Sequence, residues 1–163
     1  DIRVRKKPEI SLRARALQYL AHREYSRAEL RAKLLSHVQT DEEDCDPEPL
    51  PALDALLDDR TARGWLSDAR ATTQWVHAKR GRFGTQRITH ELRQKGIAED
   101  LISAELPALK ESELEAACNV WQRKFGILPS DAKEKAKQMR FLQSRGFSMD
   151  VIFKVLKFAE AEY

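Results

Sequence analysis

The chain has little of what disulfide-rich, sandwich-like or membrane proteins need. Among its 163 residues are only two cysteines, six glycines and six prolines. Cys45 and Cys118 lie far apart and form no CxxC pair, which excludes a disulfide framework and favours a reduced protein. No apolar run approaches the roughly 18 residues of a membrane-spanning helix, and the N-terminus has no signal-peptide core. We therefore expect a cytoplasmic protein without a membrane partner.

The residue patterns of enzymes and metal sites are missing too. The histidines form no HxxxH or HxH pair, and no GxSxG elbow occurs. Gly81 and Gly84 make a GxxG arrangement, but Thr85 follows Gly84 where a Walker loop requires lysine. A KH-type GxxG loop belongs to a fold with strands, and no convincing period-2 segment is present. We predict no catalytic residue, no metal and no cofactor.

Helical periodicity is what the sequence has in abundance. Apolar residues recur at helical spacing through most of the chain, so we predict an all-α fold. Ser26 with Glu29, and Ser112 with Glu115, have the spacing of capping boxes that begin helices. Gly96 and Gly146 stand where a left-handed residue would end a helix.

Internal repetition indicates the architecture. With an offset of 50 residues, KGIAEDLISAEL (95–106) overlays RGFSMDVIFKVL (145–156); with an offset of 62, ELRAK (29–33) overlays ELRQK (91–95). We predict nine helices in three tandem three-helix modules, in an elongated, curved arrangement. The modules span residues 1–66, 67–109 and 110–163. The acidic segment 40–49 is predicted to be a solvated loop of the first module.

Charge alternates along the chain in a way that favours binding to an anionic partner. The formal net charge of +3 divides into +6 over residues 1–40, −9 over 41–59, +7 over 60–97, −5 over 98–120 and +4 over 121–163. Basic blocks suit an anionic polymer or an acidic protein groove. Charge alone leaves open whether that partner is DNA or protein.

The second module supplies the densest candidate contact surface. We expect Ile88 and Leu92 to face inward and Arg87 to pair with Glu91, whereas Arg93 has no such local partner. The candidate contact residues of all three modules are basic: Arg27, Arg31, Lys33, Arg80, Arg82, Arg87, Arg93, Lys95, Lys137, Arg140 and Arg145. The three tryptophans are interpreted as core or joint packing, with base stacking as the alternative: Trp65, Trp75 and Trp121.

Several motifs together resemble one family. RIxxELRQKGI (87–97) is similar to the signature of the RecX family of bacterial RecA regulators. SRAELRAKL (26–34), RGWLSDAR (63–70) and KxxRFLQSRGFSMDVI (137–152) resemble its other motifs in the same order. The chain departs from the family pattern at Ser67 and Ala71 and in the order of Gly81 and Arg82.

The resemblance implies three three-helix modules and a regulatory function without chemistry. Such a protein would bind the filament of RecA on single-stranded DNA, inhibit its ATPase, strand-exchange and coprotease activities, and dampen the SOS response. We expect a monomer. The alternative is an autonomous helical DNA-binding protein with no preference for RecA.

Overall fold

The computed structural model describes residues 11–38 and 49–162, and these residues form helices and connecting turns. The all-α prediction is confirmed. The helices of the described residues are α1 (Leu12–His22), α2 (Arg27–Leu35), α3 (Pro49–Ala62), α4 (Asp68–Lys79), α5 (Thr85–Gln94), α6 (Glu99–Lys124), α7 (Ala132–Ser144) and α8 (Met149–Glu162). Nearly all of the predicted acidic loop, residues 40–48, lies outside the described residues, as does Cys45. None of the described helices is long and apolar enough to cross a membrane.

One of the two predicted capping boxes is confirmed. The Ser26 hydroxyl accepts from the Glu29 backbone N–H at 3.1 Å, and the Glu29 carboxylate accepts from the Ser26 N–H at 3.1 Å. The prediction for Ser112 is wrong, since this residue lies inside α6 and its hydroxyl donates to the Ala108 carbonyl at 3.1 Å.

Helix α6 is the main departure from the expected architecture. It runs unbroken for 26 residues through the predicted boundary at 109/110, with Pro107 inside it. The last helix expected in the second module and the first expected in the third are therefore one helix. An interior proline costs roughly 3 kcal/mol. Burial of Ile102, Leu109 and Trp121 on this helix, at about 2 kcal/mol each, outweighs that cost.

The helix stops at the two repeated glycines are confirmed. Gly96 has a φ of 73° and Gly146 a φ of 89°, both in the left-handed region. The next residue then folds back, because the Ile97 N–H donates to Leu92 and the Phe147 N–H to Leu142, at 3.1 and 3.3 Å. The offset of 50 residues seen in the sequence is thus a repeated backbone motif.

The chain divides into two compact units, residues 1–71 and 72–163. The first has its own core, centred on Ala16, Tyr25, Leu30, Leu34, Leu53, Leu57 and Leu66. The second has two clusters, and α6 contributes to both: Ile102 and Leu109 to one, Ala117 and Trp121 to the other. Because one helix serves both cores, the second and third predicted modules share a unit. The assignment of three modules at 1–66, 67–109 and 110–163 stays a prediction.

Candidate functional site

The turn between α4 and α5 gathers predicted contact residues around one aromatic ring. The guanidinium groups of Arg82, Arg87 and Arg145 lie 5.7, 4.1 and 5.1 Å from the centre of the Phe83 ring. These four residues are called the Phe83 cluster below. Arg82 and Arg87 come from the second predicted module and Arg145 from the third, so residues 63 positions apart in sequence form one basic surface.

A close backbone contact holds the Phe83 cluster together. The Gly84 N–H donates to the Arg145 carbonyl at 2.8 Å. A Cβ at Gly84 would lie 2.2 Å from the Gly146 carbonyl oxygen, and one at Gly146 would lie 2.3 Å from the Arg87 Cβ. The two glycines therefore allow an approach that no other residue permits.

A distant carboxylate completes the start of α5. Gly84 is the N-cap and has no side chain to accept from the first turn. The buried Glu113 of α6 takes that role, accepting from the Thr85 hydroxyl at 3.0 Å and more weakly from its N–H at 3.4 Å. This contact fixes α5, and with it Arg87, relative to α6.

A cavity of about 580 Å³ opens beside the Phe83 cluster and adds two cations that the sequence analysis missed. Arg123 and Lys124, in the last turn of α6, line it together with Arg82 and Arg145. Their signal was a pair of adjacent cations directly after an acidic stretch.

Two of the predicted contact residues of the first module are engaged internally. The Arg27 guanidinium lies 2.7 Å from the Asp58 carboxylate, and Arg31 donates to Asp54 at 3.1 Å. Both pairs join α2 to α3. Lys33 remains exposed, with its ammonium 5.9 Å from the Tyr19 ring centre.

Two further predicted contact residues, Arg93 on α5 and Lys95 at its C-cap, also have partners within the protein. Arg93 was expected to lack a local partner, and that expectation is wrong: it donates twice to Glu99, at 2.7 and 3.3 Å. The pair spans the Gly96 stop, which brings the end of α5 to the start of α6. The Lys95 ammonium lies 3.9 Å from the Trp75 ring centre. The predicted pairing of Arg87 with Glu91 is confirmed at 3.1 Å.

The remaining predicted contact residues are exposed and are not among the residues that line the cavity. Arg80 lies at the end of α4, and Lys137 and Arg140 lie on α7. Across residues 11–38 and 49–162, no carboxylate forms a salt bridge with any of these three. Their charges are available to a partner, whereas those of Arg27, Arg31 and Arg93 are largely balanced.

The tryptophans take three different roles. Trp121 is buried and its indole N–H donates to Gln138 at 2.8 Å, which confirms core packing for this residue. Trp75 is half-buried, donates to Glu91 at 3.1 Å and is covered by Lys95. Trp65 is 46% exposed, and the guanidinium groups of Arg60 and Arg63 lie 5.2 and 5.4 Å from its ring centre.

The ion pair between Arg93 and Glu99 predicts how the stability of the protein depends on pH. The hydrogen bonds from Arg93, and then its charge, lower the pKa of Glu99. Because the folded pKa lies below the unfolded one, the pair stabilises the protein above the ordinary glutamate pKa and loses this effect as pH falls through the folded value. We expect an NMR titration to find the low pKa of Glu99 and Arg93→Gln to raise it. An unchanged Glu99 pKa in that variant would contradict the pairing.

The geometry defines an all-helical protein with repeated helix–turn–helix elements and a basic surface at one of their joints. Family models match three successive segments: RecX, first three-helix domain, at residues 13–42; the second at 67–106; and the third at 111–156. The chain belongs to the RecX family.

Similar proteins cover almost the whole chain. "Regulatory protein RecX" of Leptothrix cholodnii is 47% identical, over 96% of this chain and 94% of that protein. "Regulatory protein RecX" of Chromobacterium violaceum is 41% identical, over 90% and 89%. The crystal structure of RecX from Lactobacillus salivarius superposes with a TM-score of 0.70 at 17% identity, covering 92% of this chain and 95% of that one, which supports the fold.

Proposed function

We propose that this protein binds the filament of RecA on single-stranded DNA and inhibits its ATPase, strand-exchange and coprotease activities. It thereby dampens the SOS response and modulates recombinational repair. The observation that carries the proposal is membership of the RecX family over almost the full length of its relatives. The protein acts by binding, as a cytoplasmic monomer, and performs no chemistry of its own.

The distribution of charge supports a partner that presents both protein and nucleic acid. The basic Phe83 cluster and the exposed Arg80, Lys137 and Arg140 can meet phosphates or acidic side chains. The exposed apolar side chains of Leu17 and Trp65 in the first unit, and of Phe153 and Phe158 on α8, offer contact surface of a kind suited to protein.

The ATPase of preformed RecA filaments tests the proposal. We expect the protein, added well below the RecA concentration, to lower the rate of ATP hydrolysis, because one bound molecule would affect many neighbouring filament subunits. Coupled-enzyme detection of ADP measures the rate, and light scattering reports filament length. An unchanged rate and an unchanged length would refute the proposal.

The second candidate function is autonomous DNA binding, which the cavity and the exposed cations favour. Autonomous DNA binding predicts equal, salt-sensitive affinity for naked single strands and for filaments. An excess of naked strand added to the ATPase assay separates the two. If the excess abolishes inhibition, the protein binds naked strand about as well as filament, which supports the second function. If inhibition persists, the filament is the partner.

A further inference from the structure

We infer that the cavity between the α4–α5 turn, the end of α6 and the end of α7 binds a backbone phosphate of single-stranded nucleic acid, independently of its bases. This inference rests on the proposed function, since it names the part of the filament that this surface would meet. Four cations line the cavity, and they come from three separate elements: Arg82, Arg123, Lys124 and Arg145.

The charges of the cavity are unbalanced. None of its lining residues in the described part of the chain is acidic, and none of the four cations forms a salt bridge there. Like charges brought together in a concave site repel one another, and the low dielectric of the walls strengthens the field inside. An anion relieves this repulsion, so the free protein already has the electrostatics of a binding site.

Alternative explanations account for only some of the four cations that line the cavity. Arg123 and Lys124 lie in the last turn of α6, where cations also stabilise the helix dipole. That effect does not explain why Arg82 and Arg145 converge on the same space from other elements. Most other arginines in the described residues have a carboxylate partner, for example Arg27, Arg31, Arg63, Arg70 and Arg93. The three arginines that line the cavity form no salt bridge within the described part of the chain.

Arg145 is held in place before any ligand arrives. Its guanidinium lies 5.1 Å from the Phe83 ring centre and 5.2 Å from that of Phe141, so two aromatic rings limit its rotamers. Its backbone carbonyl accepts from Gly84. A planar guanidinium fixed in this way presents a fork of N–H donors suited to two phosphate oxygens. The side-chain amide of Asn119 adds a neutral donor to the same wall.

Phosphate fits this cavity better than a base or an acidic side chain. The Lys124 ammonium lies 5.2 Å from the Phe141 ring centre, and Arg145 lies equally close to it. Phe141 is the aromatic residue among those that line the cavity, and two cations already lie against its ring, where they compete with a stacking base. The spread of four cations around an open cavity suits an anion with several exposed oxygens that continues into a chain on both sides.

The test compares two matched double variants in binding to a fluorescent oligothymidylate, measured by anisotropy over a range of salt concentrations. Arg123→Ala/Lys124→Ala removes two lining cations. Lys133→Ala/Lys157→Ala removes two exposed lysines of α7 and α8 that do not line the cavity. Both pairs are exposed, so circular dichroism should show unchanged helical content. Loss of the one phosphate contact lowers the salt slope by roughly 0.7, so we expect a decrease of about 0.7 and about tenfold weaker binding for the first variant only.

The outcomes separate this inference from the proposed function. An equal loss in both double variants, or none in either, overturns the cavity as a site. An abasic strand should bind as tightly as oligothymidylate, and clearly weaker binding would indicate base recognition and contradict the inference. An oligoglutamate of equal charge that displaces the strand at lower concentration would assign the cavity to an acidic peptide. If the wild-type protein leaves filament ATPase unchanged, the proposed function fails. The change in salt slope still tests whether the cavity binds a phosphate.

Discussion

Gly84→Ala is expected to lower the free energy of unfolding of the unit formed by residues 72–163 by about 3 kcal/mol. The new Cβ would lie 2.2 Å from the Gly146 oxygen and 2.4 Å from the Phe147 nitrogen, and both are backbone atoms that cannot rotate away. Overpacking costs roughly 1–3 kcal/mol, and loss of the hydrogen bond from Gly84 to Arg145 adds about 1 kcal/mol. Urea denaturation followed by circular dichroism measures the change.

Two other glycines are controls for this variant. Gly81→Ala, three residues earlier, meets no atom within 4 Å and should change stability by no more than about 0.5 kcal/mol. Gly64→Ala also meets open space but has a φ of 75°, so it reports the cost of the left-handed conformation alone, about 1–2 kcal/mol, in the unit formed by residues 1–71. If Gly84→Ala unfolds at the same urea concentration as Gly81→Ala, the close approach of the two turns does not exist in solution.

The sequence predicted those features of this joint that depend on residues close in the chain. Helical spacing and the stops at Gly96 and Gly146 follow from local backbone chemistry, and the structure confirms them. Apolar spacing also placed Ile88 and Leu92 in the core, where both are fully buried. Each of these features is determined within about four residues, which is the range over which a helix repeats.

Contacts between distant residues could not be predicted in this way. Nothing in the sequence near Gly84 indicates that it meets Gly146, or that Glu113 caps α5 from another helix. The error at α6 has the same origin. Ser112 has the spacing of a helix start, but the burial of side chains on both sides of Pro107 keeps the helix continuous. Tertiary burial outweighs a local signal worth about 1 kcal/mol.

In the candidate site, too, the sequence predicted some features and not the contacts between distant residues. Eleven cations were proposed from their charge and their places in the repeat, and the structure brings Arg82, Arg87 and Arg145 around one ring. Charge patterns do not reveal which cations have partners. Arg93 pairs with a carboxylate that lies six residues away across a turn, beyond the i,i+4 spacing of pairs on one helix.

Substitution of Gln138 is expected to have the second large effect on the free energy of unfolding. Polar side chains of this type usually lie at the surface. Gln138 is 1% exposed, accepts from the Trp121 indole N–H at 2.8 Å and donates to the Ile127 carbonyl at 3.0 Å. Gln138→Leu keeps the volume similar but leaves the buried indole N–H without an acceptor. We expect a loss of about 2 kcal/mol in unfolding free energy. Gln143→Leu, the same substitution at an exposed position of α7, should change it by no more than about 0.5 kcal/mol.

A double-mutant cycle tests whether the bond itself, rather than packing, causes the loss. Trp121→Phe removes the donor and leaves the Gln138 oxygen unpaired, so each single variant leaves one partner of this bond unsatisfied. The Ile127 carbonyl loses its donor equally in the single and the double variant that lack Gln138. The double variant has neither partner of the bond, and its loss should be smaller than the sum of the single losses by about 1–2 kcal/mol. Strict additivity would show that the hydrogen bond contributes nothing.

Trp121 lies on the turn of α6 that also carries Arg123 and Lys124, and Gln138 lies on α7 one turn before Phe141. The buried bond therefore sets the spacing of two walls of the basic cavity, and a variant that loosens it should weaken strand binding even where the protein remains folded.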